Sequence, residues 1–130
     1  MLLKLLRGKI HQATVTETNV DYHGSVTIDA DLLDATGLLP NEHVTIADCD
    51  NGNRFETYVI LGERGSGVIG INGAAAKLTQ CGNRVIIMAY GLLTPAEAEG
   101  HVSVVALVDE DNALTERIEH DCRVPEPALT

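Results

Sequence analysis

The apolar residues of this chain come in short runs separated by turn signals, a rhythm that points to many short strands. Val26-Thr27-Ile28, Val44-Thr45-Ile46-Ala47, Arg54 to Leu61, Val68 to Ile71, Arg84 to Tyr90 and Val102 to Val108 each read as a strand. Asn51-Gly52, between the second and third of these, is a strong hairpin signal, because such turns need positive φ at their centre. Two brief helices interrupt the strands. Asp29 reads as the N-cap of one, with Leu32 and Leu33 buried and Gly37 as its stop. Pro95 suits the first turn of the other, over 95–99. Met1 to Thr18 is ambiguous: its leucines suit a helix, whereas Ile10, Ala13, Val15 and Thr16 suit a strand. The expected fold is a small, mostly β barrel with one or two short helices.

Residues 1–130 are expected to form a single domain around one core. The only aromatic residues are Tyr22, Phe55, Tyr58 and Tyr90, so that core must be built from Val, Ile, Leu and Ala. From Asp109 the chain is charged, and it ends in Pro125-Glu126-Pro127; about 112–130 is expected to be a flexible tail. The net charge is −10, and residues 91–130 hold nine acids against Arg117 and Arg123. That balance argues against nucleic acid, whose phosphates need a basic surface, and against an anionic membrane. It leaves room for a local basic pocket that binds a small anion.

Cys49, Cys81 and Cys122 are odd in number and widely spaced, which fits reduced thiols in a cytoplasmic protein. The five histidines show no ligand spacing, so no metal is expected. Met1-Leu2-Leu3-Lys4 is too short and too early broken to be a leader, and no uncharged run approaches the ~18 residues of a membrane span.

The chemistry gathers at Asp21-Tyr22-His23-Gly24-Ser25-Val26. A serine hydroxyl can attack the carbonyl that precedes it, and a glycine there leaves the carbonyl sterically open. The ester formed can eliminate, and hydrolysis of the resulting dehydroalanine leaves a pyruvoyl ketone at a new N-terminus. Gly-Ser dipeptides are more often plain turns, and Gly65-Ser66 within Glu63-Arg64-Gly65-Ser66-Gly67 reads as a hairpin tip.

Taken together, Lys9-x-His11, Tyr22-x-Gly24-Ser25, Asn51-Gly52-x-Arg54-x-x-Thr57-Tyr58, Glu63-Arg64-Gly65-Ser66 and Asn72-Gly73-Ala74-Ala75-Ala76 resemble the pyruvoyl-dependent aspartate 1-decarboxylases. These are bacterial enzymes that supply β-alanine for pantothenate. The resemblance runs from about Leu6 to Tyr90. It implies a double-psi β-barrel and a homotetramer with active sites at subunit interfaces. It implies a zymogen that cleaves itself between Gly24 and Ser25 into residues 1–24 (the β chain) and 25–130 (the α chain). Ser25 would become a covalent pyruvoyl cofactor. The substrate would be L-aspartate, decarboxylated through a Schiff base to β-alanine and CO2. The sequence leaves open whether cleavage is spontaneous or needs a maturation factor.

The same resemblance assigns roles. Arg54 would grip a substrate carboxylate through its two-pronged guanidinium, with Lys9 as a second cation. Tyr58 would protonate the carbon that loses CO2, since a phenol keeps its proton at neutral pH. Thr57 would assist cleavage by hydrogen-bonding the oxyanion and would also contact substrate. Asn72, Gly73, Ala74 and Ala75 would offer backbone N–H groups beside the pyruvoyl group. Tyr22 would shape the precursor loop, and His11 would lie in the pocket. Strand alternation puts Arg54, Glu56 and Tyr58 on one face and Phe55, Thr57 and Val59 on the other, so Thr57 and Tyr58 serve one site only at a twist or an interface. Two other readings stay open here: a non-catalytic barrel acting as a binding or assembly module, and a pyruvoyl decarboxylase of another amino acid.

Overall fold

The computed structural model describes residues 1–127. Leu3–Thr14 forms a long first strand, β1, so the N-terminal ambiguity resolves against a helix. Tertiary pairing decides it. β1 runs antiparallel to β7 (Arg84–Leu93) from Leu3↔Leu93 to Thr14↔Arg84, and parallel to β8 (Val102–Val108) from Gly8↔Val104 to His11↔Leu107. β7 pairs β1 along its length and β8 adds a second neighbour over Gly8–His11, so the strand's backbone finds partners without a helix.

The remaining strands are β2 (Glu17–Asn19), β3 (Ser25–Asp29), β4 (His43–Asp48), β5 (Arg54–Gly62), β6 (Ile69–Asn72) and β9 (Leu114–Asp121). Their order in the sheet is β2-β6-β3-β5-β4-β7-β1-β8-β9. β1 passes almost directly into β2, and Thr16 N–H donates to the Ile69 carbonyl at 2.9 Å. The chain thus joins the β7 side of the sheet to the β6 side and closes a small barrel, with β8 and β9 continuing outside it.

The barrel interior is aliphatic, as the scarcity of aromatics requires. Ile10, Val26, Ile28, Val44, Ile46, Val59, Ile69, Ile71, Val85 and Ile87 are all 0 % exposed, and Phe55, at 8 %, is the one aromatic residue packed with them. β-branched side chains suit a pleated, buried surface.

Helix α1 (Ala30–Thr36) has the caps its sequence predicts. The Asp29 carboxylate accepts from Asp31 N–H at 2.8 Å, and Gly37 closes the helix at φ 77°. Its end packs onto β1 at Gly8, where a Cβ would fall 2.8 Å from Leu38 Cδ1 and 2.9 Å from the Thr36 carbonyl oxygen. Arg7 fastens the same junction by donating to Gly37 O at 2.7 Å and pairing with Glu42. Helix α2 (Pro95–Ala98) begins with a capping box between Thr94 and Glu97.

Two expectations are corrected. Residues 114–121 are not part of a flexible tail but form β9, laddered antiparallel on β8 from Val108↔Leu114 to Val102↔Asp121. Residues 128–130 of that expected tail lie outside the described residues. Glu63–Gly67 is not a hairpin tip either. β5 and β6 flank β3 on opposite sides, so this loop crosses the end of β3. Asp29 holds it there by accepting Gly65 N–H at 3.0 Å and Gly67 N–H at 2.8 Å.

Asp48 does similar work at the β4–β5 hairpin. Its carboxylate accepts from Thr79 Oγ1 at 2.7 Å, Asn83 Nδ2 at 2.9 Å and the N–H groups of Asp50 and Asn51. Burial alone would raise the Asp29 and Asp48 carboxyls. The surrounding donors outweigh burial and hold both below their ordinary value of 3.8. The unfolded chain therefore takes up protons first. The stability from these contacts is complete above pH 3.8 and is lost as pH falls through the lower folded values. Thermal melting across that range should show the midpoint dropping steeply on the acid side. Asp48→Ala should lower the neutral-pH midpoint by ~5 °C, because it removes four hydrogen bonds from part-buried donors at ~0.5–1.5 kcal/mol each, some of which water can replace. A midpoint within ~1 °C of wild type would show that the carboxylate holds nothing together.

Candidate active site

The border between solvent and barrel falls on one peptide bond. Residues 20–24 are all exposed, whereas Ser25, the first residue of β3, is 0 % exposed. Nothing lies within 4 Å of the point where a Gly24 Cβ would stand, so that linkage is open on the Gly24 side.

On the other side it is closely held. Ser25 is cross-strand partner to Asn72, the last residue of β6. The Asn72 Nδ2 donates to Ser25 Oγ at 2.8 Å and to Thr27 Oγ1 at 3.1 Å. Ser25 and Thr27 share a face of β3 by strand alternation. Gly70 stands opposite Thr27, and the Glu17 side chain from β2 covers it, where a Cβ would fall 2.8 Å from Glu17 Oε1. The next residue, Gly73, has φ 77°, and a Cβ there would fall 2.7 Å from Gly24 Cα and 2.9 Å from Gly24 N. Both its conformation and this close approach require glycine.

β5 lies on the far side of β3 in a parallel ladder that begins at Val26↔Val59. One residue before that start stand Ser25 and Tyr58; two before it stand Gly24 and Thr57. Alternation holds as expected, with Phe55 and Val59 buried, Thr57 half-buried, and Arg54, Glu56 and Tyr58 exposed. Thr57 and Tyr58 thus lie level with that bond along the neighbouring strand, just before the ladder begins, although they point to opposite faces.

Arg54 opens β5 directly after the hairpin. Arg7, Arg64, Arg117 and Arg123 each pair with a carboxylate, but among the described residues Arg54 and Lys9 do not. The hairpin is tied to a 3-10 turn over Gly73–Leu78, which carries Ala74 and Ala75. Asn51 Nδ2 and Asn53 Nδ2 both donate to the Leu78 carbonyl at 2.9 Å. The turn is thus anchored to Ser25 at one end through Asn72 and to the approach of Arg54 at the other.

Lys9 and His11 are not brought to this place within the chain. Both lie on β1, where Lys9 stands between Met88 and Val105. His11 borders a separate cleft of about 400 Å³ with Gln12, Thr14, Arg84, Leu107 and Thr115. Its buried Nδ1 has no partner, and burial, followed by the charge of Lys9, lowers its pKa. Tyr22 is 51 % exposed, edge-on to His23. Among the described residues no group of three His, Cys, Asp or Glu side chains could hold a metal ion. Thr27 is the contact that sequence reading missed; its signal was alternation, which places it on the face of Ser25.

The arrangement offers a buried hydroxyl held by an amide donor at the residue after Gly24, with Tyr58 and the unpaired Arg54 on the adjacent strand β5. Comparison with known proteins agrees with it. A family model described as Aspartate decarboxylase matches residues 1–115. Two curated relatives carry the name Aspartate 1-decarboxylase. The one from Caldicellulosiruptor saccharolyticus is 55 % identical over 114 residues, covering 88 % of this chain and 89 % of the relative. The one from Carboxydothermus hydrogenoformans is 54 % identical over 114 residues, covering 88 % and 90 %.

Proposed function

This chain belongs to the aspartate decarboxylase family, and we propose that it makes its own reactive carbonyl by cutting itself between Gly24 and Ser25. The chain is a carboxy-lyase that converts aspartate to β-alanine and CO2. The observation that carries the self-cleavage is the fully buried Ser25 hydroxyl, held by Asn72 next to Gly24, whose Cβ direction faces open space.

In the maturation, Ser25 Oγ attacks the Gly24 carbonyl carbon. The C–N bond breaks, and the hydroxyl proton ends on the Ser25 nitrogen, leaving an ester. Loss of the Ser25 Cα proton then expels the Gly24 carboxylate and leaves a dehydroalanine. Water displaces its nitrogen as ammonia, and a ketone remains at the head of residues 25–130. Thr57 donates to the oxyanion of the first step, a contact of a kind worth ~3 kcal/mol. Holding the hydroxyl in attack position supplies much of the rest.

The surroundings of Ser25 fit such a group. A pyruvoyl unit is no larger than the serine it replaces, and the Asn72 amide, released when Ser25 Oγ leaves with Gly24, would be a donor beside the new ketone on Cα. Once in place, the ketone supplies an electron sink for the pair released with CO2. The chain's own residues do the remainder. Arg54, in no ion pair among the described residues, grips a substrate carboxylate. The 73–75 backbone N–H groups orient the substrate, and Tyr58 delivers a proton to Cα. Lys9 stands across the barrel from Ser25 and serves the site of a neighbouring copy. The reading is therefore a homotetramer with active sites between subunits, with Leu39, Leu61 and Leu92 as exposed apolar contact surface. The three free cysteines fit a cytoplasmic protein, and no helix among the described residues is long and apolar enough to cross a membrane.

Incubation of the matured protein with aspartate, glutamate and alanine, with CO2 measured, tests the substrate. Aspartate alone should turn over rapidly. Arg54→Ala should still mature and should raise KM for aspartate at least ~10-fold, since a charge-assisted bond is worth ~1.5–3 kcal/mol. Equal release from glutamate would defeat the substrate assignment, and a wild-type KM would remove Arg54 from it.

A further inference from the structure

We propose that Thr27 is a positioning residue for self-cleavage: its hydroxyl oxygen fixes the Asn72 amide, which in turn holds the Ser25 hydroxyl against Gly24. The inference rests on the cleavage reading above. The Asn72 Nδ2 has two hydrogens, and the structure occupies both, one on Ser25 Oγ at 2.8 Å and one on Thr27 Oγ1 at 3.1 Å. An asparagine amide has a broad torsional minimum about its last bond, so a single contact leaves its plane free to swing. Contacts at both hydrogens fix the plane, and Ser25 Oγ with it. Nucleophilic attack depends steeply on that placement, because it needs the oxygen aligned at ~3–3.5 Å from the carbonyl carbon. The geometry supports this link. Thr27 and Ser25 share one face of β3, and Asn72, the cross-strand partner of Ser25, reaches both hydroxyls from β6.

Thr27→Val keeps the β-branched shape and strand preference but deletes the acceptor oxygen. Thr27→Ser keeps the oxygen and deletes a methyl group. Freshly expressed full-length protein is followed by intact mass as it converts to residues 1–24 and 25–130. The valine variant should convert with a half-time at least ~5-fold longer than wild type, and the serine variant should stay within ~2-fold. In a Ser25→Ala background, where no cutting occurs, Thr27→Val should move the melting midpoint by less than ~2 °C, separating slow chemistry from a loosened fold. Conversion of the valine variant at the wild-type rate would overturn the proposal. So would failure of serine to restore the rate, or a midpoint fall above ~5 °C in the uncut background, which would make Thr27 a residue of stability alone. A wild-type chain that never cuts at Gly24-Ser25 would instead defeat the cleavage reading itself.

Discussion

Ser25→Ala should remain one unbroken chain and release no CO2 from aspartate. Alanine removes the only atom that can attack the Gly24 carbonyl and the only route to a ketone at that residue. The loss should be the whole catalytic effect, at least ~10⁶-fold in rate, because without an electron sink the carbanion left by CO2 is unstabilised. Unfolding does not explain such a loss. Ser25 is fully buried but small, and its Oγ has Asn72 as partner. Alanine fits the same space, and Asn72 keeps its contact with Thr27, so the cost to stability is on the order of 1 kcal/mol. Activity in this variant, measured as CO2 from aspartate, would refute the mechanism.

Tyr58→Phe should separate the two halves of the chemistry. Tyr58 and Ser25 each stand one residue before the start of the β3–β5 ladder, and the Tyr58 side chain is on the exposed face and 39 % accessible. Thr57 points to the opposite face and is untouched by the change. The variant should therefore cut itself normally and keep its KM for aspartate. Its turnover should fall by ~10²–10⁴, the usual contribution of a positioned acid. Phenylalanine keeps the ring and loses only the hydroxyl, so a melting curve like that of wild type should accompany the loss. Unchanged turnover would remove Tyr58 as proton donor, and a chain left uncut would move its role to maturation.

Features governed by local chemistry were legible in the sequence. Asp29 and Gly37 bound α1, Asn51-Gly52 makes the β4–β5 turn, and the buried strands are aliphatic. Features set by distant pairing were not. In β9 only Ile118 is half-buried, so no apolar period marks it; its backbone ladder with β8 holds it in place. The Glu63–Gly67 loop looks like a hairpin because crossing over one strand and turning back on another use the same glycines. Only the carboxylate of Asp29, more than thirty residues earlier, distinguishes them. The site divides the same way. Ser25, Asn72 and Gly73 meet at one bond, and Thr57 and Tyr58 lie on the strand beside it just before the β3–β5 ladder begins, whereas Lys9 and His11 lie on β1, paired with β7 and β8. Thr27 was hidden because a threonine in a strand needs no explanation until its hydroxyl is seen on the Asn72 amide.

The most direct measurement is the intact mass of purified, aspartate-consuming protein. Two fragments should appear, ending at Gly24 and beginning at residue 25, the larger with a blocked N-terminus and the mass of a ketone in place of serine. A single active polypeptide with an intact serine at position 25 would contradict the account.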